Sequence, residues 1–191
     1  MQLRTAIRPS PFTPLALARY VSAFLLGCTL WLATLTSAGE LLPYTDQDSP
    51  DPDFTLKGLD GTTHRLEDYR GRVLLVNFWA SWCSPCVTEL PSMQRLAERL
   101  SAEPYEVLLI NVGESSFRVA KFMQLLGLRL PALLDREGET FKAWGANVYP
   151  TSFILDHTGK IRYLARGPLA WDDEAIVEIL KEMLPAEQTA P

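Results

Sequence analysis

The sequence predicts an α/β fold, a mixed central sheet with helices on both faces and an added N-terminal hairpin. Three observations predict it. Arg72–Trp79 (RVLLVNFW) and Tyr105–Val112 (YEVLLINV) are near-continuous apolar runs of strand length, the pattern of strands covered on both faces. Between them, Leu90, Met93, Leu96 and Leu100 recur at helical spacing, which makes a β-α-β unit with a right-handed parallel crossover. Farther on, Thr151–Asp156 (TSFILD) and Lys160–Ala165 (KIRYLA) are separated only by His157-Thr158-Gly159. So short a connection makes an antiparallel hairpin, and a helical pattern follows it.

The elements follow in order. In residues 1–38 the only charges are Arg4, Arg8 and Arg19, and no charged residue occurs from Tyr20 to Gly39. A basic flank, an apolar run and an acidic flank describe a signal peptide or a single N-terminal membrane anchor, inserted with the N-terminus in the cytoplasm. About 20 apolar residues suffice to span a bilayer, so either fate is open. Residues 39–53 are acidic and broken by prolines, and read as a linker. Residues 54–184 read as the folded domain. Phe54–Leu66 gives two short strands around the Asp60-Gly61 turn. The helix from Ser84 to Leu100 contains Pro91, which predicts a kink. A second helix covers Ser115–Leu126 and stops at Gly127, Pro131–Asp135 is a short extended piece, and a helical turn follows around Glu137–Trp144. The last helix covers Trp171–Leu184, with apolar residues at 176, 177, 180, 183 and 184 on one face. Residues 185–191 read as a loose tail.

Charge narrows the partners. With the three N-terminal arginines set aside, 15 of the 18 basic residues remain against all 23 acidic ones, a formal charge of −8. No basic run is present to track a phosphate backbone, so nucleic acid is excluded as a partner. Of three cysteines, Cys28 belongs to the N-terminal segment, which leaves Cys83 and Cys86 to the domain.

These two lie between the first buried strand and its helix, in Phe78–Pro91 (FWASWCSPCVTELP). A loop closed across two residues constrains an unfolded chain very little, so the pair is a poor structural staple. Zinc needs further ligands, and His64 and His157 have no ligand-like spacing to the cysteines or to each other. Two buried inert thiols are the remaining bland alternative. Redox chemistry fits better. At a helix start, unpaired N–H groups face the sulfur of Cys83 and stabilise its thiolate, bringing its pKa from about 8.5 into the range of roughly 3.5–7.5. Cys86, one turn deeper on the same face, can resolve a mixed disulfide formed at Cys83. Pro85 suits the first helical turn, where its missing N–H breaks no bond. The sulfurs themselves carry the electrons, and no cofactor or metal is called for.

The segment Trp79–Cys86 (WASWCSPC) closely resembles the W-A-x-W-C-x-P-C active site of thioredoxin-like proteins, and the likeness runs from about Phe54 to Leu184. It is most similar to the exported TlpA/ResA-type branch, within the wider AhpC/TSA-related redoxin grouping. Arg70–Ala80 before the site, the C-x-x-E-x-P pattern Cys86–Pro91 and the exported N-terminus with its acidic linker point to that branch. The resemblance implies a thioredoxin-like fold and a Cys83–Cys86 disulfide. It implies a cis proline facing the pair, which Tyr149-Pro150 before a strand matches. A cis proline there sets backbone groups to pair with an extended substrate. Thioredoxins carry a buried aspartate where Asn77 stands here. The branch instead places its glutamate after the pair, so Glu89 becomes the group that exchanges protons with Cys86, its pKa raised by apolar surroundings. Trp82 and Trp79 pack beside the pair, Trp82 as docking surface and Trp79 as either surface or core. Trp144 and Trp171 read as packing or rim residues.

The expected activity is exported, periplasmic thiol–disulfide oxidoreduction on protein dithiol/disulfide substrates, in the reducing direction. The resemblance implies tasks such as reducing apocytochrome c or metal-delivery protein disulfides, and a membrane-linked electron donor. Two alternatives stand beside it. A peroxiredoxin-like peroxidase would need a threonine three residues before its reactive cysteine, where Ala80 stands. A non-enzymatic binding or chaperone module would have no use for the cysteine pair.

Overall fold

A computed structural model describes residues 39–45 and 52–185. The signal or anchor reading of residues 1–38 and most of the tail lie outside these described residues. Among the described residues, eight strands form one sheet: β1 (Glu40–Pro43), β2 (Thr55–Gly58), β3 (Thr63–Arg65), β4 (Val73–Trp79), β5 (Tyr105–Val112), β6 (Ala132–Asp135), β7 (Thr151–Leu155) and β8 (Ile161–Arg166). Their order across the sheet is β1-β8-β7-β4-β5-β6-β2-β3. Among the described residues the helices are α1 (Ser84–Arg99), α2 (Ser116–Leu125), α3 (Glu139–Ala143) and α4 (Glu174–Glu182), with a 3-10 turn at Leu66–Tyr69. This is the mixed, thioredoxin-like sheet that the sequence predicts. β4, β5 and β6 run parallel, while β7 returns antiparallel to β4 and β8 to β7.

The pleat of β4 divides the core. Val73, Leu75 and Trp79 face one cluster, in which Leu90, Met93 and Leu96 of α1, Val119 and Met123 of α2, and Ile176, Val177 and Leu180 of α4 pack together. Leu74, Val76 and Phe78 face the other, closed by Phe54, Leu66, Phe141 and Trp144. Asn77 has the parity of Val73 and Trp79, so it points under α1 although it is polar. That single polar position in a fully buried strand locates the site.

Two expectations need correction. Residues 40–43, read as linker, form β1 along β8 from Glu40↔Arg166 to Pro43↔Tyr163. Without it β8 would present an open edge, and Leu41 adds apolar contact with the core. Gly39, just before this strand, packs against Gly167, whose carbonyl oxygen would lie 2.5 Å from a Cβ at position 39. The last helix begins at Glu174 rather than Trp171. Asp173 caps it by accepting from the Ala175 N–H at 3.0 Å, and the Trp171 N–H is held by Ser92 Oγ. Pro91 lies inside α1, which continues through it.

Candidate active site

β4 ends at Trp79, and the loop to α1 holds Ala80, Ser81 and Trp82. Cys83 is the N-cap of α1, in extended conformation, and its sulfur accepts from the Cys86 N–H at 3.2 Å. Pro85 sits in the first turn. Cys83 and Cys86 form a disulfide with Cα atoms 5.3 Å apart. Cys83 keeps 6% exposure and Cys86 has none. An incoming thiolate therefore meets Cys83 first. On reduction, the helix N-terminus favours a thiolate at Cys83 over one at Cys86, which lies inside the helix.

Beneath the pair lies a buried polar network. Asn77 on β4 is paired in register with Ser152 on β7, so both side chains point toward α1. The Asn77 amide donates at 2.8 Å both to Glu89 Oε1 and to Ser152 Oγ. Glu89 Oε2 accepts from the Trp171 indole N–H and from the Leu169 backbone N–H, each at 3.1 Å. Burial pushes the Glu89 carboxyl up to about 7, against the opposing pull of the Leu169, Trp171 and Asn77 hydrogen bonds. Glu89 stands three residues beyond Cys86 on the same side of α1. A carboxyl poised near neutrality, one turn from the deeper sulfur, can hold or release a proton as the disulfide opens and closes.

A second buried carboxylate shapes the loop. Glu114 Oε2 accepts from the Ser81 N–H at 2.7 Å and from the Asn111 amide at 2.8 Å, and Oε1 accepts from the Ser81 hydroxyl at 2.6 Å. Burial raises the Glu114 pKa, but the hydrogen bonds from Asn111 and Ser81 outweigh it, and the carboxyl stays below its ordinary value. Glu114 thus stays charged and pins the loop that carries Trp82 and Cys83.

The aromatic surroundings separate into rim and core. Trp82 is 65% exposed and meets the Tyr149 ring edge-on at 5.4 Å. Tyr149 stacks on Phe141 at 4.6 Å, and the Tyr149–Pro150 peptide is cis. These contacts bring Tyr149 against Trp82, the residue before Cys83, with the buried Pro150 next to it in the chain. Trp79 is wholly buried against Phe122, so of its two readings the structure shows core. Trp171, read as packing or rim, is buried and holds Glu89. Sequence reasoning missed Trp171, Ser152 and Glu114 as parts of the site. Asn77 was the one available signal, since a lone amide in a buried strand needs polar partners on its face.

An eight-stranded mixed sheet carrying a disulfide at the head of the helix after its central strand defines a thioredoxin-fold protein of the dithiol–disulfide class. Comparison with known proteins agrees. The chain belongs to the AhpC/TSA family, whose model matches residues 48–164. The thiol-disulfide oxidoreductase ResA of Geobacillus thermodenitrificans is 39% identical over 122 residues, 64% of this chain and 70% of that protein. ResA of Bacillus subtilis is 29% identical over 144 residues, 75% of this chain and 78% of the relative. Among solved structures, the exposed lipoprotein thioredoxin Etrx1 of Streptococcus pneumoniae is 34% identical, with 68% of this chain and 98% of that one covered and a TM-score of 0.60. StoA of Bacillus subtilis is 27% identical, with 72% and 99% covered and a TM-score of 0.58. The chain is therefore a relative of ResA-type thiol-disulfide oxidoreductases, and its Cys83–Cys86 disulfide is suited to thiol–disulfide exchange.

Proposed function

We propose that this protein is an exported thiol–disulfide oxidoreductase that reduces disulfides in protein substrates. The Cys83 thiolate attacks one sulfur of the client disulfide, forming a mixed disulfide and releasing the other client sulfur as a thiolate. Cys86 gives its proton to Glu89 and attacks the Cys83 sulfur. The second client thiolate leaves, and the Cys83–Cys86 disulfide forms. A membrane-linked dithiol donor then returns two electrons. Trp82, Tyr149 and Pro150 form the rim on which the client chain rests, and Trp79, Pro85 and Asn77 support the pair from within.

The observation that carries this reading is the buried Glu89 carboxyl, raised to about 7, one helical turn beyond a fully buried Cys86. A proton acceptor there makes the deeper sulfur a better resolving nucleophile at neutral pH. The basic and then apolar N-terminal segment supports export with the domain on the periplasmic side, cleaved or anchored by residues 20–38. The names of the relatives support thiol–disulfide chemistry. Apocytochrome c and metal-delivery proteins with vicinal cysteines are the client classes the resemblance favours.

The test follows reduction of a protein disulfide by the reduced full chain, with peroxide turnover in parallel. The reading expects disulfide reduction that needs both cysteines and no sustained peroxide consumption. Sustained peroxide turnover with a thiol donor would favour the peroxidase alternative. Cellular function that survives Cys83→Ser would favour the binding-module alternative.

A further inference from the structure

A groove of about 480 Å³ opens beside the redox loop, between Ser81 and the outer face of α2. Phe117, Lys121 and Leu125 follow one another at four-residue spacing, so they form one stripe on that helix. Phe117 and Leu125 are each 79% exposed. The two lie two helical turns apart, and the half-buried Phe122 also lines the groove, so three large apolar side chains gather on one face, the pattern of an interaction surface rather than of scattered solvent-facing residues. Arg118 and Lys121 also line the groove. Among the described residues, Arg118 pairs only with Glu114, at 3.8 Å, and Lys121 has no ion-pair partner. Both cations stand out on a chain whose charge beyond residue 38 is −8.

We infer that this groove binds an acidic and apolar stretch of the client polypeptide next to its disulfide cysteine. The inference rests on the proposed exchange reaction and adds a client preference to it. Ser81 is two residues from Cys83, so the Cα of this groove-lining residue lies no more than about 7 Å from that of the reacting cysteine. A client segment bonded to Cys83 and extended at about 3.4 Å per residue places the side chains two to four positions from its cysteine over the groove. Phe117 and Leu125 offer apolar contact there, and Lys121 with Arg118 offers charge to an Asp or Glu. Such opposite charges act mainly on the rate of encounter and weaken with salt.

The experiment uses the reduced full chain and two disulfide peptides of equal length. They differ only in an Asp or a Lys three residues from the reacting cysteine. Neutral hydroxyethyl disulfide, too small to reach the groove, is the reference. The acidic peptide is expected to react about tenfold faster than the basic one at low salt, with the ratio shrinking in 0.5 M salt, as steered encounters do. Lys121→Glu should abolish or invert the ratio, and Phe117→Ser should slow both peptides. Both variants should leave the hydroxyethyl disulfide rate within about twofold of wild type, since they do not touch the cysteine network. Equal rates for the two peptides, or a ratio that Lys121→Glu leaves unchanged, would overturn the inference while leaving the redox reading intact. So would a Phe117→Ser effect on self-association or on binding to phosphatidylglycerol vesicles in place of an effect on peptide rates. A wild-type chain inert toward hydroxyethyl disulfide would refute the exchange reaction itself, and the groove's client with it.

Discussion

Glu89→Gln should flatten the pH dependence of stability of the oxidised protein across the neutral range. The folded state holds the Glu89 proton until about pH 7, whereas the ordinary glutamate value is 4.5. A folded-state pKa above the unfolded one gives stability that is full below pH 4.5 and is lost as pH rises through 7. The shift corresponds to about 3 kcal/mol, most of which falls between pH 5 and pH 8. Glu114 and Asp156 shift the other way, so they act below their ordinary values of 4.5 and 3.8 and leave this window clear. Glutamine does not titrate, and Asn77 can accommodate it. Turning the Asn77 amide over offers Oδ1, which has no hydrogen-bond partner among the described residues, to the new amide hydrogens. Urea unfolding at pH 5, 6, 7 and 8, with the disulfide intact, reads the effect. Wild type should lose about 2–3 kcal/mol over that range and the variant much less. Parallel profiles for the two proteins would refute the reasoning, because they would mean that Glu89 is ionised throughout.

Asn77→Asp places a second buried carboxyl within hydrogen-bond reach of Glu89. The pair should then share a proton, and the midpoint of the pH–rate profile for dithiol exchange should move alkaline by about one unit or more. Trp171→Phe removes one donor to Glu89 Oε2 while keeping most of the packing. The same midpoint should rise by about half a unit to one unit, and an unmoved profile would make Trp171 a packing residue only. Glu114→Ala leaves the Ser81 and Asn111 donors without their acceptor. Thermal unfolding should show a cost of about 1–3 kcal/mol, with slower alkylation of reduced Cys83 as the loop loosens.

The sheet was legible because β4 and β5 are continuous apolar runs and the β7–β8 connection admits only a hairpin. The cysteine pair was legible because its chemistry is local: cap, first turn and resolving sulfur all lie within four residues. The polar network was legible only in part. Asn77 and Glu89 stand out as a polar residue in a buried strand and a carboxyl near the pair. Ser152 depends on the β4–β7 register, and Trp171 reaches Glu89 across 82 residues of chain. Neither relation leaves a periodic trace in sequence. Glu114 follows a strand with no local mark of burial in the sequence, and only its hydrogen bonds to Ser81 in the loop before Cys83 reveal its role. Strand β1 was hidden because four residues among prolines and acids carry no strand pattern; their reason to pair lies in the open edge of β8.

The most direct measurement is capture of mixed disulfides by the Cys86→Ser chain in its own cellular compartment, read by mass spectrometry of adducts released with dithiothreitol. Covalent adducts are expected between Cys83 and a small set of disulfide-bearing proteins, absent from the Cys83→Ser chain. No adducts in Cys86→Ser, or the same adducts in Cys83→Ser, would contradict the assignment of Cys83 as attacking sulfur and Cys86 as resolving sulfur.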